Sequence, residues 1–146
     1  MSLPDFNAKG DLPPGVYRAT MEDVVSRFGS GSPERGRATK TLQRILELAR
    51  ATTNLDRMIV FGSFVTSKLQ PNDVDVILVM RDEFRLETCP EAAKLLFDHA
   101  TAEQNLGASV FWIRPGLLIA DTLDQFIQSW QLKRDGGQRG IVEVVE

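Results

Sequence analysis

Val60-Phe61-Gly62-Ser63-Phe64-Val65-Thr66-Ser67-Lys68-Leu69-Gln70-Pro71-Asn72-Asp73-Val74-Asp75-Val76 is the stretch on which the reading of this chain turns. It opens with the end of an apolar run, Met58-Ile59-Val60-Phe61, stopped by Gly62. It closes with the start of an alternating run in which Val74, Val76, Leu78 and Met80 interleave with Asp73, Asp75, Ile77 and Val79. Both flanks read as strands, and the residues between them as a compact turn. Alternate residues of a strand point the same way, about 6.5 to 7 Å apart along it, so Asp73 and Asp75 project from one face.

Two carboxylates so placed can hold hard cations, and Mg²⁺ or Mn²⁺ completes such a site with water and phosphate oxygens. A pair of these ions about 4 Å apart stabilises the attacking and leaving oxygens of phosphoryl transfer. Gly62, without a side chain, lets the backbone bend sharply and approach a phosphate closely, and Ser63 adds a hydroxyl donor. A helical turn beginning at Ser63 and running to Leu69 would aim free N–H groups at an anion. A nucleoside triphosphate would then lie between Gly62-Ser63 and the acid pair. Lys68 is the cation of the turn that could neutralise its phosphates, although a lysine in an exposed turn is also commonly just solvated.

Outward from this stretch, helices and strands interleave. Leu12-Pro13-Pro14-Gly15-Val16-Tyr17 has two prolines that fix φ and remove donors, and residues 1–20 are predicted as an extended N-terminal arm. Thr20-Met21-Glu22-Asp23 has the spacing of a capping box, and Gly29 suits a helix stop. Pro33 opens an amphipathic helix through Leu42, Ile45, Leu46 and Ala49, ending near Thr53. Pro90 is predicted to open a second long helix through Ala92, Leu95, Leu96 and Ala100, which stops at Gly107 before a strand, Ser109 to Ile113. A helix capped near Asp121 or Thr122 carries Leu123, Phe126, Ile127 and Trp130. Gly136-Gly137 separates it from a last strand, Gly140 to Val145. The expected class is α/β, a small mixed sheet flanked by helices.

Composition narrows the possibilities. The 146 residues suit a single domain spanning 1–146, and the 42% hydrophobic and 25% charged shares are those of an ordinary globular protein. No apolar run approaches the about 18 residues that cross a bilayer, and the first residues lack the basic and apolar regions of a signal peptide, so a cytoplasmic location with no membrane partner is expected. A single Cys89 rules out an internal disulfide, and with His99 the only histidine there is no zinc cluster, so any metal must have oxygen ligands. The net charge of −3 argues against broad coating of nucleic acid, though a local basic patch could still grip phosphates. Lys133, Arg134 and Arg139 surround Gly136-Gly137 and could form such a patch. Helix C-termini gather cations through the dipole in any case, and we assign them there. His99 reads as a surface or packing residue, Cys89 as an inert loop thiol, and Trp112 and Trp130 as core first, with Trp130-Gln131 able to line a pocket.

The apolar residue and Gly-Ser preceding Asp-x-Asp by ten residues resemble the signature of the DNA polymerase β superfamily of nucleotidyltransferases. The short chain and the form Gly-Ser-Phe-Val-Thr are similar to the minimal nucleotidyltransferases, which include toxins and antitoxins that act on proteins or RNA. The whole chain also resembles an uncharacterised bacterial family of unknown function, with its Leu-Pro-Pro-Gly arm, Pro-Asn-Asp-Val-Asp-Val core and a tail like Trp130-Gln131 to Arg139-Gly140-Ile141-Val142-Glu143. The resemblance implies a nucleotidyltransferase fold and Mg²⁺-dependent transfer of a nucleotidyl group from a nucleoside triphosphate to a hydroxyl of a protein, RNA or small molecule. It assigns metal binding and catalysis to Asp73 and Asp75, and nucleotide binding to Gly62 and Ser63. Active members of the superfamily place a third carboxylate on a later strand. Here that position falls on Ser109, leaving Asp98, Glu103 or Glu143 to substitute through space. The vacancy favours the alternative, a catalytically degenerate regulator that binds nucleotide or a partner protein, such as one half of a toxin and antitoxin pair.

Overall fold

The two strands predicted around the Gly62-Ser63 turn pair with each other: β2 (Leu55–Phe61) runs antiparallel to β3 (Val74–Met80), with Phe61 opposite Asp75. The computed structural model describes residues 3–71, 73–119 and 121–145, leaving out Met1, Ser2, Asn72, Ala120 and Glu146. In chain order the remaining elements are β1 (Val16–Thr20), α1 (Met21–Phe28), α2 (Pro33–Ala51), α3 (His99–Leu106), β4 (Ala108–Ile113), α4 (Leu123–Ser129) and β5 (Ile141–Val145). The sheet is five-stranded and mixed, in the order β1-β5-β2-β3-β4. The pairs β1–β5 and β3–β4 are parallel, and β2 is antiparallel to both its neighbours.

Strand alternation divides the sheet into two unlike faces. On one, Met58, Val60, Val76, Leu78, Val110, Val142 and Val144 are buried beneath Val24 and Phe28 of α1 and Leu42, Ile45 and Ala49 of α2. On the other, Ile59, Ile77, Val79 and Ile141 pack against Ile127 of α4. Full burial of each such side chain stabilises by about 1.5–3 kcal/mol. The second face is only partly covered: α4 is short, and beyond it Phe61, Asp75, Ser109 and Phe111 stay partly accessible. The candidate site lies on that uncovered portion.

Local signals account for the helix ends. Thr20 Oγ1 accepts from the Asp23 N–H and Asp23 Oδ2 from the Thr20 N–H, both at 3.1 Å, closing the expected capping box. Thr122 and Gln125 form a second one at the head of α4. The end of the N-terminal segment is a strand: Val16–Thr20 pairs with β5 from Val16↔Ile141 to Thr20↔Val145, because Pro13 and Pro14 precede the segment and leave its donors intact. One expectation is corrected. The helix expected from Pro90 is a 3₁₀ segment, Glu91–Phe97, broken at Asp98 before α3 begins. Tertiary packing overrides its apolar spacing. The Phe97 ring lies 4.7 Å from Phe84 and 5.3 Å from Trp112, and its carbonyl accepts from the Trp112 indole N–H at 3.3 Å. No helix among the described residues is long and apolar enough to cross a membrane.

Candidate functional site

Gly62 turns the chain out of β2 with φ of +78° and ψ of −162°, a conformation that side chains disfavour. A Cβ at this position would stand 2.0 Å from Asp75 Oδ2, so the close approach that requires glycine is made to the acid itself. The turn that follows is a single 3₁₀ turn, Ser63–Val65, shorter than the helical segment expected to Leu69. It is closed by the Thr66 hydroxyl, which donates to the Ser63 carbonyl at 2.6 Å.

Arg35 of α2 holds this turn from behind. Its guanidinium is buried and donates to the carbonyls of Phe28 at 3.1 Å, Phe64 at 2.8 Å, Lys68 at 2.6 Å and Thr66. Burial lowers its pKa from the usual value, and the four carbonyl dipoles, in place of a carboxylate, compensate the charge. No sequence pattern identified Arg35. Lys68 itself is exposed and is not among the residues lining the cleft.

Asp73 and Asp75 both line one cleft of about 650 Å³ with Gly62 and Ser63, and two other clefts, of 490 and 440 Å³, are smaller. Burial pushes the Asp75 carboxyl up to about 6, and the neighbouring Asp73 charge adds to the rise. The polar Ser109 side chain opposes it, as do Arg139 and Arg134. Ser109 lines the same cleft as the acid pair, in register with Asp75 on the adjoining strand. The other acids considered for a third ligand are engaged elsewhere. Glu143 pairs with Arg57 at 2.6 Å, Asp98 accepts from the Thr101 hydroxyl at 2.5 Å, and Glu103 lies 3.5 Å from His99. Among the described residues no three His, Cys, Asp or Glu side chains gather as a metal site. The donors present, two carboxylates and a hydroxyl, fit one Mg²⁺ whose shell is completed by water and phosphate oxygens, as that ion prefers.

The opposite wall is basic, and here the assignment of Lys133, Arg134 and Arg139 to a helix end is corrected: all three line the cleft. They sit on a tight loop closed by the Lys133 N–H to the Gly137 carbonyl at 2.7 Å and a bridge between Leu132 and Gln138. Asp11, buried in the N-terminal segment, accepts from Lys133 Nζ at 2.8 Å and from Arg139 at 3.3 Å. Gln131 is buried too, and its side-chain oxygen accepts from the Gly15 N–H at 2.5 Å. The arm thereby fixes the basic loop, a relation across more than a hundred residues that no local pattern reveals. Arg134 has no ion-pair partner among the described residues and is exposed.

The third wall is aromatic. Trp130 packs 4.8 Å from Phe61 and 5.1 Å from Phe111, and the His99 ring lies 5.1 Å from Phe111. His99, expected as a surface or packing residue, and Trp130, expected as core first but able to line a pocket, both line the cleft. The Trp130 indole N–H is buried without a hydrogen-bond partner, so ring contacts alone hold it. Trp112 belongs to the other face, against Phe84 and Phe97. Residues 4–145 match the model of one family, described as a family of unknown function (DUF6932). No curated protein and no solved structure matches the chain.

Proposed function

The chain belongs to the family of unknown function DUF6932, which lends it no activity, and from the site itself we propose that it is a nucleotidyltransferase of the DNA polymerase β type. The observation that carries this reading is the meeting, in one cleft, of the Asp73–Asp75 pair, the Gly62-Ser63 turn and the Lys133–Arg139 loop. An acid pair facing cations across a cleft of this size suits a ligand that brings both phosphates and a divalent ion. Asp73 and Asp75 would hold Mg²⁺, which neutralises phosphate charge when bound. Arg134 and Arg139 face the same phosphates from the other side, and Ser63 adds a donor. In the reaction the oxygen of an acceptor hydroxyl, on a protein, RNA or small molecule, bonds to the α-phosphorus. The bond to pyrophosphate breaks, and the hydroxyl proton is released. Rate enhancement comes from positioning and charge neutralisation.

One observation favours a second reading, a regulator that binds nucleotide or a partner protein without turning over. Ser109 lies in register with Asp75, where the resemblance sets a third acid, and among the described residues the further carboxylate that lines the cleft, Asp135, sits beside Lys133 on the basic loop. The protein incubated with α-labelled nucleoside triphosphates, Mg²⁺ or Mn²⁺ and cell extract decides between the two. Label transferred to an acceptor, and lost in Asp73→Asn, supports the transferase. Metal-dependent nucleotide binding without transfer supports the regulator, and absence of both refutes a nucleotide site.

A further inference from the structure

Resting on the nucleotide reading of this cleft, we propose that the aromatic wall formed by Phe111, Trp130 and His99 is the platform on which the nucleobase stacks. We propose further that it accepts bases by stacking area without reading their hydrogen-bonding edges. Phe111 is 37% exposed, unusual for a phenylalanine beside well-covered strands, and its open side faces the cleft. It lies two residues beyond Ser109 on the same face of β4, which sets it about 6.5–7 Å from the neighbour of Asp75. A ribose spans such a gap between a phosphate and its base. The ring is backed by Trp130 at 5.1 Å and flanked by His99 at the same distance, tilted by only 32°, so the cluster forms a broad π surface. Ring contacts of this kind favour offset stacking of a further flat ring.

The absence of edge reading rests on the cleft's polar groups: no Asn, Gln, Thr or Tyr lines it among the described residues, and its charged side chains are given to metal, to phosphate and to one another, as Asp135 is to Lys133. The His99 Nε2 lies 3.5 Å from Glu103, and the Trp130 N–H is buried, out of reach of an incoming base. Discrimination between bases of equal size needs paired donors and acceptors at the base edge, whereas stacking depends on overlap and tolerates any base. The platform therefore takes all four nucleoside triphosphates, purines ahead of pyrimidines.

Calorimetric titration in Mg²⁺ with ATP, GTP, CTP, UTP and inorganic tripolyphosphate tests this on the parent, Phe111→Ala, Phe111→Leu and Phe111→Tyr. Stacking of one base predicts a loss of about 5- to 140-fold in ATP affinity for Phe111→Ala. Tripolyphosphate affinity stays within about twofold, because the phosphate contacts are untouched. Phe111→Leu, which keeps apolar volume without a π face, should show most of the same loss, and Phe111→Tyr should restore binding. An equal loss for ATP and tripolyphosphate, undiminished ATP binding in Phe111→Leu, or a parent that prefers one base over another of the same size overturns the platform. A parent that binds ATP no better than tripolyphosphate overturns the platform while leaving the phosphate site standing. A parent that binds neither refutes the nucleotide reading and the platform with it.

Discussion

Replacing Asp75 by Asn should make the metal-free protein more stable, and only above a definite pH. The Asp75 carboxyl is raised from 3.8 to about 6 by burial and by Asp73. Below the unfolded value both states are protonated and the group contributes nothing. As pH rises from about 4 to 6 the unfolded chain releases the proton while the folded one retains it, so stability is lost. Above about 6 the penalty is complete. A rise of about two units corresponds to roughly 3 kcal/mol at most. Asp75 stays partly open to water, which screens the charge and reduces this to about 1–2 kcal/mol. Asn carries no charge at any pH and keeps the size of the side chain. Thermal unfolding with a chelator present, followed from pH 4 to 8, should show Asp75→Asn melting roughly 3–8 °C above the parent at pH 8 and together with it at pH 4. A variant no more stable than the parent at pH 8, or an advantage that persists unchanged at pH 4, would refute the reasoning.

Gly62→Ala should destabilise by well over about 1 kcal/mol, since it meets both a positive φ and the Asp75 carboxylate at 2.0 Å. In urea unfolding, adding Asp75→Ala should recover part of that loss by removing the collision; strict additivity would count against the contact. Ser109→Asp sets a third acid beside the pair, so Mn²⁺ should bind at least about tenfold more tightly by calorimetry. Unchanged affinity would show that Ser109 does not look onto the metal site. Arg35→Met withdraws the donors to four carbonyls and should cost at least about 2 kcal/mol, measured by chemical denaturation, with Arg35→Lys recovering little because it cannot reach all four.

The strand, turn and strand around Gly62 were legible in the sequence because an apolar run, a glycine stop and two-residue alternation are local signals. The capping boxes at Thr20 and Thr122 are local signals of the same kind. What escaped depends on distant partners. Val16–Thr20 becomes a strand only because Ile141–Val145 lies beside it, and the 3₁₀ segment before Asp98 is set by Phe84 and Trp112. Of the cleft, the acid pair and the Gly-Ser turn were readable from spacing. Its basic wall was not, because Lys133 and Arg139 gain their position from Asp11 at the far end of the chain. Arg35, inside a helix whose polar positions look alike in sequence, carries no mark of its burial.

The position of β5 bears on how the molecule assembles. It follows the other four strands in the chain, yet it lies inside the sheet, between β1 and β2. Until it docks, β1 has no ladder to join, β2 presents an open edge, and Arg139, just ahead of β5, cannot meet Asp11. Closing loops of such length is slow, and native pairing must wait for it. A chain cut short after α4 would therefore still spell Gly62-Ser63 and Asp73-Val74-Asp75 but would carry bare strand edges. Its expected fate is association with other chains edge to edge, well before any weakening of the site is felt.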